Sequence, residues 1–269
     1  MSLALHVDRR AGAAPAAATR PPLVMLHGWG MNLRAFDGLR HELAEQQTWA
    51  IDLPGHGKSA WWPGAAQFQA QCDAVLEVLP PRCVLVGWSF GAQVALQLAA
   101  QHPARIAALV LLAATPRFMR SDDWPHGMEV TALRAFRTVL EQDWRRTLDD
   151  FMDLQLRGSR EAEASVQVLR TALLAQGAPQ QAALMAGLSL LEDNDLRACV
   201  PRVLQPALVV AGRNDRVTPP GAGHWLATRL CSARLLELAR CGHAPLVSHR
   251  MEVATAMRRF IEPTPAELP

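Results

Sequence analysis

Apolar and polar positions along the chain alternate between two rhythms. Short unbroken apolar runs stand at Leu23-Val24-Met25-Leu26, Trp49-Ala50-Ile51, Cys83-Val84-Leu85-Val86, Ile106 to Leu112 and Pro206 to Gly212, and Ala233 to Leu238 is a last short run broken by Arg234 and Glu237. Runs this short, bounded by turn residues, predict buried strands. Leu3-Ala4-Leu5-His6-Val7 predicts a first edge strand, and the Gly-, Ala- and Pro-containing stretch to Pro22 predicts a connection holding a ragged second strand. Between the runs the period lengthens. Leu33, Phe36, Leu39 and Leu43 fall three or four apart behind Asn32, which predicts a capped helix. Further helices are predicted from Gln67 to Leu79, from Ala92 to Ala100, up to about Leu230 and from Met251 to Ile261. Strands alternating with helices place the chain in the α/β class, with a mostly parallel sheet covered on both faces.

From about Pro116 to Cys199 the rhythm changes. The stretch is helical in composition and carries no convincing buried strand, while Gly158-Ser159 and Gly177-Ala178-Pro179 break it into separate helices. It reads as a helical lid inserted into a core made of residues 1–115 and 200–269. The alternative is a set of ordinary sheet-covering helices, but one crossover calls for one such helix.

Composition narrows the setting. The chain has 269 residues, 19% of them charged, and a formal net charge of +2, so its charge offers no nucleic-acid or membrane surface. Its five cysteines are scattered, with no C-x-x-C spacing, which suggests neither a disulfide framework nor a zinc site. The N-terminus shows charged residues where a signal peptide has an apolar run. A cytoplasmic monomer is the expectation.

The chemistry centres on Gly87-Trp88-Ser89-Phe90-Gly91, which lies between a predicted strand and a predicted helix. Strand, G-x-S-x-G, helix is the context of a nucleophile elbow, a turn so sharp that the serine is strained and its hydroxyl pushed out. Taken alone the pentapeptide is also readable as a plain Gly-Ser loop. A serine needs a base, and the base needs an orienting carboxylate. The order expected for this elbow is serine, acid, histidine. Ser89, Asp215 and His243 satisfy it, and the last two follow the last two predicted strands. Asp193, Asp195 and His249 are the weaker rivals. The oxyanion needs two N–H groups: Phe90, after the nucleophile, and Trp29, in the His27-Gly28-Trp29-Gly30 loop after an early strand. His27 is expected to brace that loop. Gly57-Lys58-Ser59 imitates a phosphate-binding loop, but Asp52 stands where the motif requires glycine. Asp52 to Ser59 therefore reads as a structural turn. No cofactor and no metal is called for.

With these motifs the chain resembles the α/β-hydrolase family along essentially its whole length. The resemblance rests on HGWG, D-x-x-G-H-G-x-S at Asp52 to Ser59, GWSFG, G-R-N-D-x-x-T-P and GHAP. Trp29, Trp88, Ala114 to Phe118, Phe151-Met152-Asp153-Leu154-Gln155 and Leu191 to Arg197 are similar, more narrowly, to the biotin-pathway carboxylesterases. Those enzymes hydrolyse the methyl ester of pimeloyl-acyl carrier protein. The resemblance implies the triad named above and Trp29 and Phe90 at the oxyanion and substrate site. It also implies Phe151, Met152, Asp153, Leu154 and Gln155 against the acyl chain. It further implies an acyl carrier protein as partner, met by lid arginines. Arg146 fits that role, but Glu163 and Gln167 stand where arginines are expected, leaving Arg157, Arg160 and Arg170 nearby. Phe90-Gly91-Ala92 replaces the family's frequent Leu-Gly-Gly. Other activities of the same fold stay open: a short-chain esterase, a carbon–carbon bond hydrolase, an aminopeptidase, or a non-catalytic ligand receptor.

Overall fold

The structure, a computed structural model, describes residues 4–14, 17 and 19–261. Seven strands form one sheet: β1 (Val7–Arg10), β2 (Leu23–Leu26), β3 (Thr48–Ile51), β4 (Cys83–Trp88), β5 (Ile106–Leu112), β6 (Ala207–Gly212) and β7 (Ala233–Leu238), in the spatial order β1-β3-β2-β4-β5-β6-β7. β1 is antiparallel to β3, and every other neighbouring pair is parallel. Every residue of β2, β4 and β6 is buried. Burial on both faces is why these strands read as unbroken apolar runs instead of alternating ones.

Helices lie on both sides of the sheet. They are α1 (Asp37–Glu42), α2 (Phe68–Val78) and α3 (Phe90–Gln101), then α4 (Val130–Gln142), α5 (Trp144–Leu156), α6 (Ala162–Gln176) and α7 (Gln181–Asp193), then α8 (Pro220–Arg229), α9 (Pro245–Ser248) and α10 (Arg250–Ile261). α4 to α7 all belong to the single crossover from β5 to β6. Besides the two breaks at glycines there is a third at Asp143, whose side chain caps α5 by accepting the Arg146 N–H at 3.1 Å. Among the described residues no helix is long and apolar enough to cross a membrane.

Two sequence expectations are corrected. The edge strand is Val7–Arg10, not a strand running from Leu3 to Val7; Leu3 itself lies outside the described residues. No second strand forms among the described residues between 11 and 22; Pro15, Ala16 and Ala18 lie outside them. β1 escapes an apolar reading because charged groups hold it. Arg40 of α1, its side chain fully buried, donates to Asp8 Oδ2 at 2.8 Å and Thr48 Oγ1 at 3.0 Å. The Arg9 guanidinium lies 4.4 Å from the centre of the Trp49 ring. The helix behind Asn32 also begins differently: Asn32 caps a tight 3₁₀ turn over Leu33–Phe36, and α1 follows it.

Burial works against the Asp8 carboxylate, but its hydrogen bond to Arg40 and the charges of Arg40, Arg10 and Arg34 outweigh that and hold it below the ordinary range. A carboxyl lowered in the folded state stabilises above its unfolded value, and that stabilisation is lost as pH falls through the folded one. Arg40→Ala is expected to destabilise the protein by about 3 kcal/mol at neutral pH. The gap between variant and wild type in urea melts should narrow as pH is lowered through the carboxylate range.

Candidate active site

Parallel sheets put chemistry beyond the carboxyl ends of their strands. Four loops meet there: residues 27–30 after β2, Ser89 after β4, Asp215 after β6 and His243 after β7. Ser89 has φ 54° and ψ −114°, a conformation that a non-glycine residue holds only where its surroundings impose it. The flanking glycines show what imposes it. A Cβ at Gly87 would lie 2.5 Å from the Ala92 Cα, and one at Gly91 would strike the Leu26 carbonyl oxygen. The turn therefore packs backbone directly on backbone.

The three side chains are joined. His243 Nε2 lies 2.8 Å from Ser89 Oγ, and His243 Nδ1 lies 2.8 Å from Asp215 Oδ2. With Asp215 as acceptor, Nδ1 carries the proton and Nε2 is left to accept from Ser89. The Asp215 and His243 side chains are each 1% exposed. Asp215 is held in turn: Oδ1 accepts the Val217 and Thr218 N–H groups at 2.8 and 2.9 Å, and the Thr218 hydroxyl donates to Oδ2 at 2.8 Å. The Ala113 carbonyl oxygen, just past the end of β5, lies 3.0 Å from the same hydroxyl. His243 is fixed through its backbone, since its N–H donates to the Gln155 carbonyl at 2.6 Å and its C=O accepts from the Trp88 indole at 2.7 Å.

The loop after β2 passes beside Ser89. A Cβ at Gly28 would sit 3.3 Å from the Ser89 Cβ, so the peptide carrying the Trp29 N–H borders the Ser89 side chain. The Phe90 N–H is the first of α3, where no intrahelical acceptor is available. The Phe90 ring turns away and meets Phe68 edge-on. His27 does brace its loop: Nε2 accepts the Leu53 N–H at 2.9 Å, and Nδ1 donates to the Gly28 carbonyl at 2.8 Å. Burial pushes this imidazole down to about 4, so it stays neutral. Asp52 takes the Leu33 and Lys58 N–H groups and the Gln176 amide, the pattern of a structural turn.

Trp29, from the loop beside Ser89, and Val217, two residues after Asp215, help to wall an apolar cavity of about 120 Å³ completed by Phe136, Phe151, Leu154 and Leu188 among others. That is the size of apolar cavities that accept one benzene-sized molecule, about 150 Å³. The Trp29 indole reaches across to the inserted helices, donating to the Leu184 carbonyl at 2.9 Å and meeting Phe136 and Phe151 edge-on.

A profile of the alpha/beta hydrolase fold matches residues 21–249. The chain belongs to the α/β-hydrolase family. It is 42% identical over 229 residues to a pimeloyl-[acyl-carrier protein] methyl ester esterase of Nitrosomonas europaea, covering 85% of this chain and 90% of that protein. A protein of the same name from Nitrosospira multiformis is 36% identical over 250 residues, covering 89% of this chain and 94% of that protein. Among solved structures, an esterase from Exiguobacterium antarcticum superposes with a TM-score of 0.85 at 22% identity, covering 96% of this chain and 95% of that one.

In this α/β-hydrolase the segment Phe151 to Gln155 does not act as one wall. Phe151 and Leu154, three apart on α5, line the cavity. The intervening residues leave that face because a helix turns. Met152 borders a separate groove with Trp144 and Leu173, Asp153 pairs with Arg170 at 3.3 Å, and Gln155 serves His243 through its backbone. The arginines divide as well. The Arg146 side chain is 81% exposed, with Asp150 at 4.0 Å, and Arg157 is exposed. Arg160 is paired with Glu252 at 3.1 Å, and Arg170 is held by Asp149 at 2.6 Å. The rivals stand apart from Ser89. His249 contacts Ser248 and the Ala239 carbonyl, Asp195 pairs with Arg117 and Arg197, and Asp193 is exposed at the end of α7.

Thr218, Trp88 and the Gln155 carbonyl are the supports that sequence reasoning did not assign. Thr218 had a signal, its place in G-R-N-D-x-x-T-P; a backbone carbonyl has none. Thr218→Val keeps the shape and removes the hydroxyl. It is expected to lower kcat about tenfold on a simple ester with KM nearly unchanged, the equivalent of about 1.4 kcal/mol for a bond to a charged group. Steady-state kinetics check this.

Proposed function

We propose that this chain is a serine carboxylesterase that hydrolyses the methyl ester of pimeloyl-acyl carrier protein, freeing the pimeloyl carboxylate for biotin synthesis. The observation that carries the reading is the Ser89–His243–Asp215 relay, with both hydrogen bonds at 2.8 Å, in a chain 42% identical to an esterase of that name. Ser89 Oγ attacks the ester carbonyl while His243 Nε2 takes its proton. The Trp29 and Phe90 N–H groups receive the oxyanion. The same imidazolium then protonates the departing methoxide, and methanol leaves an acyl-enzyme on Ser89. Water gives its proton to His243 and attacks, and Ser89 is regenerated with the free carboxylate. No step needs a cofactor or a metal.

Residues 116–199 act in this reading as the lid over the acyl chain, on a core of 1–115 and 200–269. The dry walls of the cavity suit a short run of methylenes. Arg146 and Arg157 are the cations most available to an acidic carrier protein, and Arg160 is available once it releases Glu252. Between Arg117 and Arg197 there are 10 arginines against 13 acids, so docking rests on a local patch. A cytoplasmic monomer goes with this reading, and the five free cysteines, four of them buried, suit a reducing compartment.

Expression of the chain is expected to rescue biotin-requiring growth of cells lacking the pathway esterase, and Ser89→Ala to abolish rescue with about a 10⁶-fold loss of kcat. Absence of turnover on a p-nitrophenyl ester would favour a ligand receptor instead. Arg146→Glu combined with Arg157→Glu is expected to lower kcat/KM on the carrier-bound ester about tenfold relative to the free methyl ester. An unchanged ratio in paired assays would remove the docking patch.

A further inference from the structure

The connector between α5 and α6 touches both loops that carry the acid and the base. The Gln155 carbonyl accepts the His243 N–H at 2.6 Å, Ser159 Oγ accepts the Gly242 N–H at 2.8 Å, and the Arg160 N–H donates to the Arg240 carbonyl at 2.8 Å. On the other loop, the Asn214 amide donates to the Gly158 carbonyl at 2.9 Å, and the Asn214 N–H donates to the Cys241 carbonyl at 2.9 Å. The approach is close enough to need a glycine. A Cβ at Gly242 would lie 2.6 Å from the Gln155 carbonyl oxygen and 3.0 Å from Ser159 Oγ. None of Ser159, Asn214 and Gly242 lines the apolar cavity.

We propose that residues 155–160 form a clamp that sets the Asp215 and His243 loops relative to each other, with Ser159 and Asn214 as positioning residues. Gly242 and His243 are buried, so without the connector two buried N–H groups next to the base would lose their acceptors. The loop would then shift to find others, carrying the imidazole with it. Displacement of a reacting group by about 1 Å costs up to about 100-fold in rate. The inserted helices are thus part of the frame that holds the base, besides walling the acyl site. This inference rests on the triad reading above.

The test measures two rates in the full chain: kcat and KM on p-nitrophenyl butyrate, and the rate at which a fluorophosphonate labels Ser89. Ser159→Ala with Asn214→Ala is expected to lower kcat and the labelling rate together, about ten- to 100-fold, with KM within about twofold because the cavity wall is untouched. Ser159→Thr with Asn214 retained, which keeps an acceptor hydroxyl, should hold most of both rates. Circular dichroism melts of all variants separate a shifted base from a lost fold. Wild-type kcat and labelling in the double variant overturn the clamp while leaving the triad in place, as does an equal loss in Ser159→Thr. A wild-type chain that neither labels nor turns over overturns the triad reading, and the clamp with it.

Discussion

The imidazole of His243 has to stand within hydrogen-bond reach of Ser89 and Asp215 at once, and the three residues come from three separate loops. A ring that accepts from one side and donates on the other tolerates little displacement, because both bonds weaken together when it moves. The molecule meets this by fixing the peptide that carries the ring. Its N–H is taken by Gln155 and its C=O by Trp88. Trp88 belongs to the elbow pentapeptide, so the five residues that force the nucleophile outward also hold the base. The strain at Ser89 and the order at His243 are two consequences of one packed turn.

The same turn explains how much of the site was legible in the sequence. An apolar strand followed by a polar, glycine-containing loop is a local pattern, and each member of the triad sits in one. Their convergence then follows from a parallel sheet, in which every strand ends on the same edge. β5 begins and ends where its apolar run does, and β7 has the bounds predicted for the last strand. What could not be read depends on atoms that every residue has, or on charge where the reading looked for apolar spacing. The Gln155 carbonyl would be there with any side chain at that position. β1 is held by Arg40 and Arg9, and charged residues in a strand look like a loop. The short α9 has too few residues to show a period.

Helical geometry also sharpens which inserted residues face the cavity. Its walls come largely from pairs three apart: Leu133 and Phe136 on α4, Phe151 and Leu154 on α5, Leu188 and Leu191 on α7. Each helix gives one narrow stripe to the cavity and another to its neighbours. A run of five consecutive residues therefore cannot be a wall. The residue between the members of a pair is free for other work, as Met152 and Asp153 show, and so is the backbone of the residue after one, as Gln155 shows. Trp29 joins this arrangement from the core side, its indole donating to the Leu184 carbonyl, and so ties the cavity wall to the loop beside Ser89.

These contacts constrain how substrate enters. The inserted helices cannot swing away as one body, because the α5–α6 connector is bonded to both catalytic loops and Asn32 and Asp52 of the core are bonded to α6. Lifting the whole insertion would unfix His243 at the moment it is needed. The other end of the insertion carries different attachments. There, the half-buried Arg117 and Arg197 meet Asp123 and Asp195 in a network of four ion pairs. Phe118 and Met128, the cavity residues in that stretch, are bonded to each other, the Met128 N–H donating to the Phe118 carbonyl at 2.7 Å. Trp124 in that stretch is buried and meets Trp225 of α8 edge-on, so this end of the insertion is also seated on the core, through an aromatic contact where the α5–α6 connector uses hydrogen bonds.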